Sequence, residues 1–354
     1  MGFDQAPGAQ SRAPARATPA RRANLLLATL ATLVSLCLGE AALRWLDPLH
    51  RVPVDPPMRV RLAYSAQIEV QQTTQGNIFG TIQPSDSETV YVLKPGRTWL
   101  FEGAAARTNS AGFRGPEWSP RRDGDALRVV GVGDSVMFGW GVAEEQTFMG
   151  LLAARLGGPQ PDGGRAVEVL NGAVPGYNAL QEAALVERRL MAYQPDLLLL
   201  GYTQNDHEEA SFASPGPLEE QALRSYLFAA LCHVLERPWL GPRRVSRAFA
   251  RLGRVSRAAG VPVLFFVYPK SMPGFGPELP RRMGLREGFR QVDIETSFRE
   301  WARMHGGNDL EGLTLSAKDA HPNPQGHELI ARSLEGPLRE ALRALPTRAA
   351  SAGR

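Results

Sequence analysis

The feature that most constrains this fold is a series of short, strongly apolar runs that alternate with segments of helical character. Four runs have the length and composition of buried strands: residues 127–132, 167–170, 196–201 and 261–267. The intervening and following segments favour helices: residues 148–156, 179–193, 218–259, 292–304 and 326–345. Strands that alternate with helices form a parallel sheet covered on both faces. The sequence therefore predicts an α/β domain over residues 126–345.

Three of the loops that follow these strands have unusual sequences. Gly133-Asp134-Ser135 comes after the first strand, residues 171–176 after the second, and Gln204-Asn205-Asp206 after the third. The carboxyl ends of parallel strands lie at one edge of the sheet, where such folds bind their ligands. We therefore expect a functional site at this edge.

Composition excludes several classes of protein. The 354 residues carry 40 Lys and Arg against 36 Asp and Glu, a formal charge of +4, which is too small an excess for a dedicated nucleic-acid surface. The two cysteines, Cys37 and Cys232, exclude a disulfide scaffold and a cysteine zinc site. His327-Glu328 lacks the second histidine of a His-Glu-x-x-His site, and no dinucleotide fingerprint or phosphate loop is present. We expect no metal, no cofactor and no nucleic-acid partner.

The N-terminal residues divide into a polar tail and an apolar run. Residues 1–22 are rich in Ala, Pro and Arg, which predicts a disordered basic tail. Residues 23–39 are 17 uncharged residues that follow two arginines. About 20 apolar residues span a bilayer, and Arg44 and Trp45 favour the interface beyond the run. We therefore expect a transmembrane helix over residues 23–45, with the basic tail in the cytoplasm.

Other interpretations of this apolar run stay open. A cleaved signal peptide combines the same features, with Gly39-Glu40-Ala41 as its small-residue site. A buried core helix suits the charged flanks poorly. The anchor and the signal peptide both export everything after about residue 45, so we expect an extracytoplasmic domain, either held at the cytoplasmic membrane or secreted. There Cys232 is expected to be a buried free thiol.

The segments around the α/β domain have a different composition. Residues 46–125 are dense in Pro, Gly and Thr, with short apolar stretches at 89–93 and 98–101. This composition predicts a small β-rich region of short strands and turns. Residues 346–354 are expected to form a disordered tail.

Ser135 stands where a serine can act as a nucleophile. The glycines before it allow a sharp turn after a strand, and its amide is expected near a helix N-terminus, which favours negative charge. A serine hydroxyl is a weak nucleophile unless a base accepts its proton. The structural alternative is a serine that only caps the helix.

Two further segments offer the partners that such a serine needs. His321 has Asp319 two residues before it, and a carboxylate can orient an imidazole and stabilise its cation. Asn205 follows a strand and can donate its side-chain N–H to an oxyanion. A loop ion pair and an Asx-turn are the structural alternatives for these residues.

Taken together, these segments resemble the SGNH hydrolases, also called the GDSL esterase/lipase superfamily. Four blocks are similar to those of the family and follow in the same order: residues 133–141, 171–178, 201–206 and 319–327. Residues 108–115 also resemble a segment that precedes this domain in membrane-anchored bacterial members. The resemblance covers roughly residues 126–340. It implies a flavodoxin-like three-layer α/β/α fold.

The resemblance also implies a role for each matching residue. Ser135 would be the nucleophile, His321 the general base and Asp319 the carboxylate that orients it. The oxyanion hole would use four residues, by backbone N–H or side chain: Ser135, Gly172, Ala173 and Asn205. The donor in the second block is left open, because Gly172 stands one residue before the usual glycine position, which Ala173 occupies.

The last block also departs from the family pattern. It usually reads Asp-x-x-His, and here Lys318 holds the usual aspartate position while Asp319 lies one residue closer to His321. Carboxylates that orient a histidine come from neighbouring positions in different enzymes. Asp319 is therefore the expected third member of the triad.

These expectations lead to a function and its alternatives. The first hypothesis is an exported serine esterase that forms an acyl-enzyme, with O-acyl esters of envelope glycans, or lipids, as substrates. The same triad is compatible with an O-acyltransferase. A catalytically silent protein that binds glycan or a partner protein is an alternative from another class. The oligomeric state is not predicted.

Overall fold

The computed structural model describes residues 19–46, 81–101, 104–122, 124–158, 164–208, 241–269, 277–306, 310–317 and 319–345. The chain divides into two compact units, residues 1–54 with 217–231, and residues 55–216 with 232–354. The described residues do not include Cys232, the first part of the predicted helical stretch 218–259, or the two expected disordered tails. The one exception is the end of the N-terminal tail, where the first helix begins at Pro19.

The described part of the first unit is one helix, α1 (Pro19–Leu46). It includes the predicted span of residues 23–45, and its leucines between positions 26 and 38 are exposed. No helix within the described ranges is long and apolar enough to cross a membrane. The transmembrane helix expected over residues 23–45 therefore stays a prediction from the sequence alone.

The second unit begins with four short strands in the predicted β-rich region. They form two antiparallel pairs, β1 (Ile82–Pro84) with β2 (Tyr91–Leu93), and β3 (Thr98–Phe101) with β4 (Ala104–Arg107). Tyr91 of β2 is buried, and its hydroxyl donates to the backbone carbonyl of Pro175 at 2.7 Å. This region is therefore bonded directly to one of the loops singled out above.

A five-stranded parallel sheet forms the centre of the second unit. Its strands are β5 (Leu127–Val132), β6 (Val167–Asn171), β7 (Leu197–Tyr202), β8 (Val263–Val267) and β9 (Arg290–Gln291), in the order β6-β5-β7-β8-β9. Every residue of β5, β7 and β8 is buried, as strands covered on both faces require. The order is that of a flavodoxin-like sheet. Its switch point, where the strand order reverses, lies between β5 and β7.

Helices cover the sheet and follow the predicted segments closely. In chain order they are α2 (Ser135–Phe138), α3 (Phe148–Leu156), α4 (Ala179–Arg188), α5 (Gly241–Ala259), α6 (Glu278–Arg286), α7 (Glu295–Met304) and α8 (Pro324–Arg343). α3 packs with α8, and α4 packs with α5, so right-handed crossovers place these two pairs on opposite faces of the sheet. The parallel sheet of the predicted α/β fold is present.

Several features differ from the sequence expectation, among them α6 and the edge strand β9, which no predicted segment contains. The helix expected at 179–193 ends at Arg188 and continues as a 3-10 turn, Leu190–Tyr193, which closes on Gln194 with a left-handed φ of 52°. In addition, an antiparallel hairpin of β10 (Thr314–Ser316) and β11 (Asp319–Pro322) precedes α8. Such short, irregular strands carry no alternation of apolar residues that would predict them.

Candidate active site

Ser135 lies on the turn between β5 and α2, at the carboxyl edge of the sheet. The side chain of Asp134 caps α2 by accepting the backbone N–H of Val136 at 3.0 Å. A Cβ atom at Gly133 would lie 2.7 Å from Cβ of Met137, so only glycine fits before the turn. The turn thus holds the serine at the start of a helix, with its hydroxyl part-buried beside the histidine described next.

A continuous chain of hydrogen bonds joins Ser135, His321 and Asp319. The Ser135 Oγ lies 2.7 Å from Nε2 of His321, and Nδ1 of His321 lies 2.5 Å from Oδ1 of Asp319. The carboxylate accepts, so Nδ1 carries the proton, and Nε2 is then the acceptor for the serine hydroxyl. Asp319 also accepts the backbone N–H of His321 at 3.0 Å. Sequence reasoning named these three residues, and β11 brings two of them to the serine.

A buried polar network lies behind the serine. The Thr203 hydroxyl is 2.7 Å from Oδ2 of Asp134 and 2.7 Å from Oδ1 of Asn205. Asp206 accepts the backbone N–H of Thr203 at 2.6 Å. Asp134 and Asp206 are 1% and 0% exposed. This network connects the turn after β5 to the turn after β7, and it orients Asn205 toward the site.

The Asn205 amide has the N–H groups that an oxyanion needs. Its Nδ2 donates one N–H to the backbone carbonyl of Tyr177 at 3.2 Å. A side-chain amide carries two N–H groups, so this bond leaves a second donor on the same nitrogen. Asn205 is only partly buried and lines the pocket that contains Ser135.

The two expected donors of the second block both have hydrogen-bond partners within the protein. The backbone N–H of Gly172 donates to the carbonyl of Gly131 at 3.0 Å, which continues the ladder between β6 and β5. The N–H of Ala173 donates to Oδ1 of Asn171 at 3.2 Å, and both residues are buried. The sheet and the turn that follows it therefore already use the N–H groups of both Gly172 and Ala173.

Gly176 is the residue of this block that the sequence reasoning missed. It is the one half-exposed residue among positions 171–178 and has a φ of 79°. The N–H of Tyr177 donates to the carbonyl of Val174 at 3.2 Å, so the loop is a turn with Pro175 and Gly176 at its centre, as in type II. The Pro-Gly pair was the available signal.

The orientation of one peptide group sets where the Gly176 N–H is directed. The carbonyl of Pro175 accepts the hydroxyl of Tyr91 at 2.7 Å. In a trans peptide the N–H lies opposite the carbonyl of the same group. The N–H of Gly176 is therefore directed away from the β-rich region.

Two carboxyl groups are buried together beneath this edge of the sheet. Glu182 of α4 and Asp206 are 3% and 0% exposed, and the two side chains lie within hydrogen-bonding range of each other. Burial raises the pKa of both groups well above the usual range, and the charge of Asp134 raises both further. The raised pKa values favour a protonated form of the pair, in which the two carboxyl groups share a proton.

The serine opens into a pocket of about 360 Å³. Most of its lining is polar: Asp134, Ser135, Val136, Thr203, Asn205, Glu208, Tyr268, Asp319, Ala320 and His321. The Tyr268 hydroxyl donates to the carbonyl of Ala320 at 3.3 Å, and this bond connects the end of β8 to the hairpin that carries His321. Among the described residues, no group of three or more His, Cys, Asp or Glu side chains is arranged to hold a metal ion.

A second histidine near the site, His327, has a structural role. His327 of α8 is fully buried, and its Nδ1 accepts the first backbone N–H of α3, from Phe148, at 3.2 Å. Burial lowers the pKa of His327 to about 3, so its ring stays neutral. Its ring also stacks on that of Phe148, as a packing residue does.

Comparisons with known proteins agree with this architecture. Residues 132–329, more than half of the chain, match the family model described as GDSL-like Lipase/Acylhydrolase family. No curated protein matches the sequence. The sequence segment that matches the family model contains Ser135, Asn205, Asp319 and His321.

Three solved structures are similar to the chain at low sequence identity. TesA is 18% identical, covering 61% of this chain and 99% of its own, with a TM-score of 0.42. A variant of Axe2, an acetyl xylan esterase from Geobacillus stearothermophilus, is 15% identical, covering 62% and 95%, with a TM-score of 0.42. A lipase/acylhydrolase from Enterococcus faecalis is 14% identical, covering 63% and 100%, with a TM-score of 0.40.

Proposed function

The chain belongs to the GDSL-like lipase/acylhydrolase family and is a carboxylic ester hydrolase, and on this premise we propose that it acts through an acyl-enzyme on Ser135. His321 is the general base, and Asp319 orients it. The observation that carries the proposal is the continuous chain of hydrogen bonds, 2.7 Å from Ser135 to His321 and 2.5 Å from His321 to Asp319.

Acylation begins with the serine hydroxyl. As Oγ of Ser135 forms a bond to the ester carbonyl carbon, its proton passes to Nε2 of His321. Asp319 stabilises the imidazolium that results and keeps the Nδ1 proton in place. The tetrahedral intermediate then collapses, the bond to the alcohol oxygen breaks, and the Nε2 proton passes to that oxygen. The products are a free alcohol and an ester on Ser135.

Deacylation repeats these proton transfers with water. His321 accepts a proton from the water molecule as the water oxygen forms a bond to the acyl carbon. Collapse of the second intermediate breaks the bond to Oγ of Ser135, which recovers its proton from Nε2. A carboxylic acid leaves, and the enzyme returns to its starting state.

Three N–H donors are proposed to stabilise the oxyanion in both intermediates. They are the backbone N–H of Ser135 at the first turn of α2, the side-chain amide of Asn205, and the backbone N–H of Gly176. Donors fixed in advance at the place where charge develops contribute about 10²–10³ each to kcat. The buried bonds of Thr203 to Asp134 and Asn205 support this arrangement.

The pocket favours esters of short acids on hydroxyl-rich alcohols. Eight of its ten described lining residues carry a polar side-chain group, and the two exceptions are Val136 and Ala320. Carboxylate and hydroxyl groups suit the hydroxyls of a sugar. We therefore propose O-acyl groups on glycans as the substrate class, with lipid esters as the alternative.

The extracytoplasmic location also stays a proposal. It is supported by the sequence alone, in which Arg21 and Arg22 precede the uncharged run at 23–39. A fusion of alkaline phosphatase, which is active only after export, to the C-terminus of the full chain tests it. Activity of the fusion in intact cells supports export. An inactive, soluble fusion overturns it.

A fluorophosphonate probe and a series of esters test the catalytic proposal. The purified chain is expected to be labelled by the probe, and the Ser135→Ala variant is not. With p-nitrophenyl esters from acetate to palmitate, kcat/KM is expected to fall beyond about four carbons, and O-acetylated oligosaccharides are expected to release acetate. Failure to label the folded chain, or labelling that persists in Ser135→Ala, overturns the proposed mechanism. A preference for palmitate overturns the proposed substrate class alone.

A further inference from the structure

The indole ring of Trp140 stacks on the imidazole of His321. The two ring centroids are 5.7 Å apart, and the ring planes lie at 27° to each other. Trp140 is half-buried, and the described residues that line the catalytic pocket include His321 but not Trp140. The indole therefore contacts the histidine without forming part of the pocket wall.

The loop that presents Trp140 is shaped by the glycines on either side. Gly139 and Gly141 have φ values of 89° and 76°, in the left-handed region that side chains disfavour. A Cβ atom at Gly139 would lie 2.2 Å from Cγ2 of Thr147, and one at Gly141 would lie 2.3 Å from Cδ1 of Leu315. Both positions therefore require glycine for conformation and for space.

A buried arginine from the β-rich region fixes the same loop from behind. The guanidinium of Arg114 donates to the carbonyls of Phe138 at 2.9 Å, Gly139 at 2.6 Å and Val142 at 2.7 Å. These carbonyls lie on both sides of Trp140 in the sequence, and Arg114 is 1% exposed. Arg114 thus clamps the loop on each side of the indole.

We infer that Trp140 is a positioning residue for the reaction, acting through His321. The inference rests on the proposed function. Stacking on the indole keeps the imidazole ring in the plane that joins Asp319 to Ser135. When the proton of Ser135 passes to Nε2, the imidazolium lies beside an aromatic face, which stabilises a cation. The barrier falls for both proton transfers, while substrate binding is unaffected.

Steady-state kinetics of four full-length proteins test this inference: the wild type, Trp140→Phe, Trp140→Leu and Trp140→Met. The substrates are p-nitrophenyl acetate and p-nitrophenyl butyrate. We expect kcat of the Leu and Met variants to fall about 10-fold, the size of effect that a partly buried cation–π contact supplies. KM and the acetate-to-butyrate ratio stay within about twofold. The Phe variant, which keeps an aromatic face, recovers most of the loss.

The chain provides a matched control in a second Trp–His stack. Trp301 and His305 of α7 have ring centroids 4.1 Å apart, at 16°. Trp301→Leu removes a Trp–His stack that lies on α7, away from Ser135 and His321 in sequence, and we expect it to leave kcat unchanged. Thermal unfolding is recorded for each variant. Where a Leu variant does not fold, the corresponding Met variant is compared in its place.

Each other outcome overturns the inference. An unchanged kcat in both aliphatic variants shows that the indole does not act through His321. A changed acetate-to-butyrate ratio at unchanged kcat makes Trp140 a wall of the acyl pocket. An equal loss of kcat in Phe and Leu excludes the aromatic face as the cause. Ser135→Ala separates a failure of this inference from a failure of the proposed function. Activity that persists in Ser135→Ala contradicts the proposed function, whereas Ser135→Ala stays inactive when this inference alone is wrong.

Discussion

The two sides of the catalytic centre are built in different ways. Ser135 and Asn205 follow central strands of the sheet, and the groups behind them, Asp134, Thr203 and Asp206, are nearly fully buried. His321 and Asp319 lie on the two-stranded β10–β11 hairpin, and their side chains are 28% and 29% exposed. The serine side is therefore part of the core, whereas the histidine side is added to the core by a few contacts.

This difference separates the effects that mutations should have. On the serine side, catalytic geometry and folding depend on the same buried bonds, so substitutions should affect both rate and stability. On the histidine side, the hairpin and the stack on Trp140 set the geometry, so substitutions should affect the rate with little change in stability. Four predictions test this separation.

The largest expected effect comes from Asp319→Asn on the histidine side. An asparagine amide donates to Nδ1 and so favours the wrong tautomer of His321, and the loss in kcat from such a change is about 10⁴-fold. Tm should stay within about 2 °C of the wild type. Asp125→Asn, an exposed change elsewhere, is the control. If the variant keeps more than a tenth of the wild-type kcat, Asp319 is not a member of the triad.

Asn205→Ala on the serine side is expected to reduce kcat by about 10²–10³-fold, the loss measured when one oxyanion donor is removed. It should also reduce the free energy of unfolding by about 1 kcal/mol, because Thr203 and Tyr177 each lose a hydrogen bond to this side chain. Asn205→Asp, which keeps the shape and removes the N–H donors, should be at least as slow. Kinetics and urea unfolding measured together decide whether both effects occur.

Arg114→Met tests how far the β-rich region supports the serine side. It removes the guanidinium donor from three buried carbonyls, and we expect the free energy of unfolding to fall by about 3 kcal/mol. Burial lowers the pKa of Arg114 to about 10, so the group is charged at neutral pH and its bonds are charge-assisted. Arg107→Met, in the same region and without these bonds, serves as control. Equal stability of the two variants would contradict the clamp.

Glu182→Gln is the smallest predicted effect. A carboxyl whose pKa is raised by folding stabilises the fold fully below its unfolded pKa, and this contribution is lost as pH rises through the folded pKa. The wild type should therefore lose stability as pH rises above the usual carboxyl range, and the variant should lose less, by about 1 kcal/mol or roughly 3 °C in Tm. Glu187→Gln, on the exposed face of the same helix, is the control. Parallel curves for all three proteins would contradict the shared proton.

Much of the site follows from local sequence. The apolar runs at 127–132 and 196–201 have the composition of doubly covered strands, and the turn sequences after them mark Ser135 and Asn205. The donor in the second block did not follow from sequence, because Gly172 and Ala173 look equally suitable there. Only the fold shows that the sheet accepts the N–H of Gly172 and that the Asn171 side chain accepts the N–H of Ala173. Which N–H groups remain for a ligand depends on pairing between distant strands.

The position of His321 shows the same limit. Its separation from Ser135 along the chain is 186 residues, and the hairpin that carries it has no periodic pattern. The pairing of Asp319 with His321 is local, so the sequence pointed to it in spite of the shift by one residue from Lys318. The contact with Ser135 is not local, and it requires the folded α8 and the bond between Tyr268 and Ala320.

Residue order alone determined the class of fold, the turn that presents the nucleophile and the types of residue available for catalysis, since each depends on periodicity or on neighbours a few positions apart. Tertiary structure alone decided which backbone N–H groups are free to bind an oxyanion, that two carboxyl groups are buried side by side, and that an indole covers the catalytic imidazole. These depend on contacts between residues far apart in sequence, which form only when the sheet, its helices and the β-rich region are packed together.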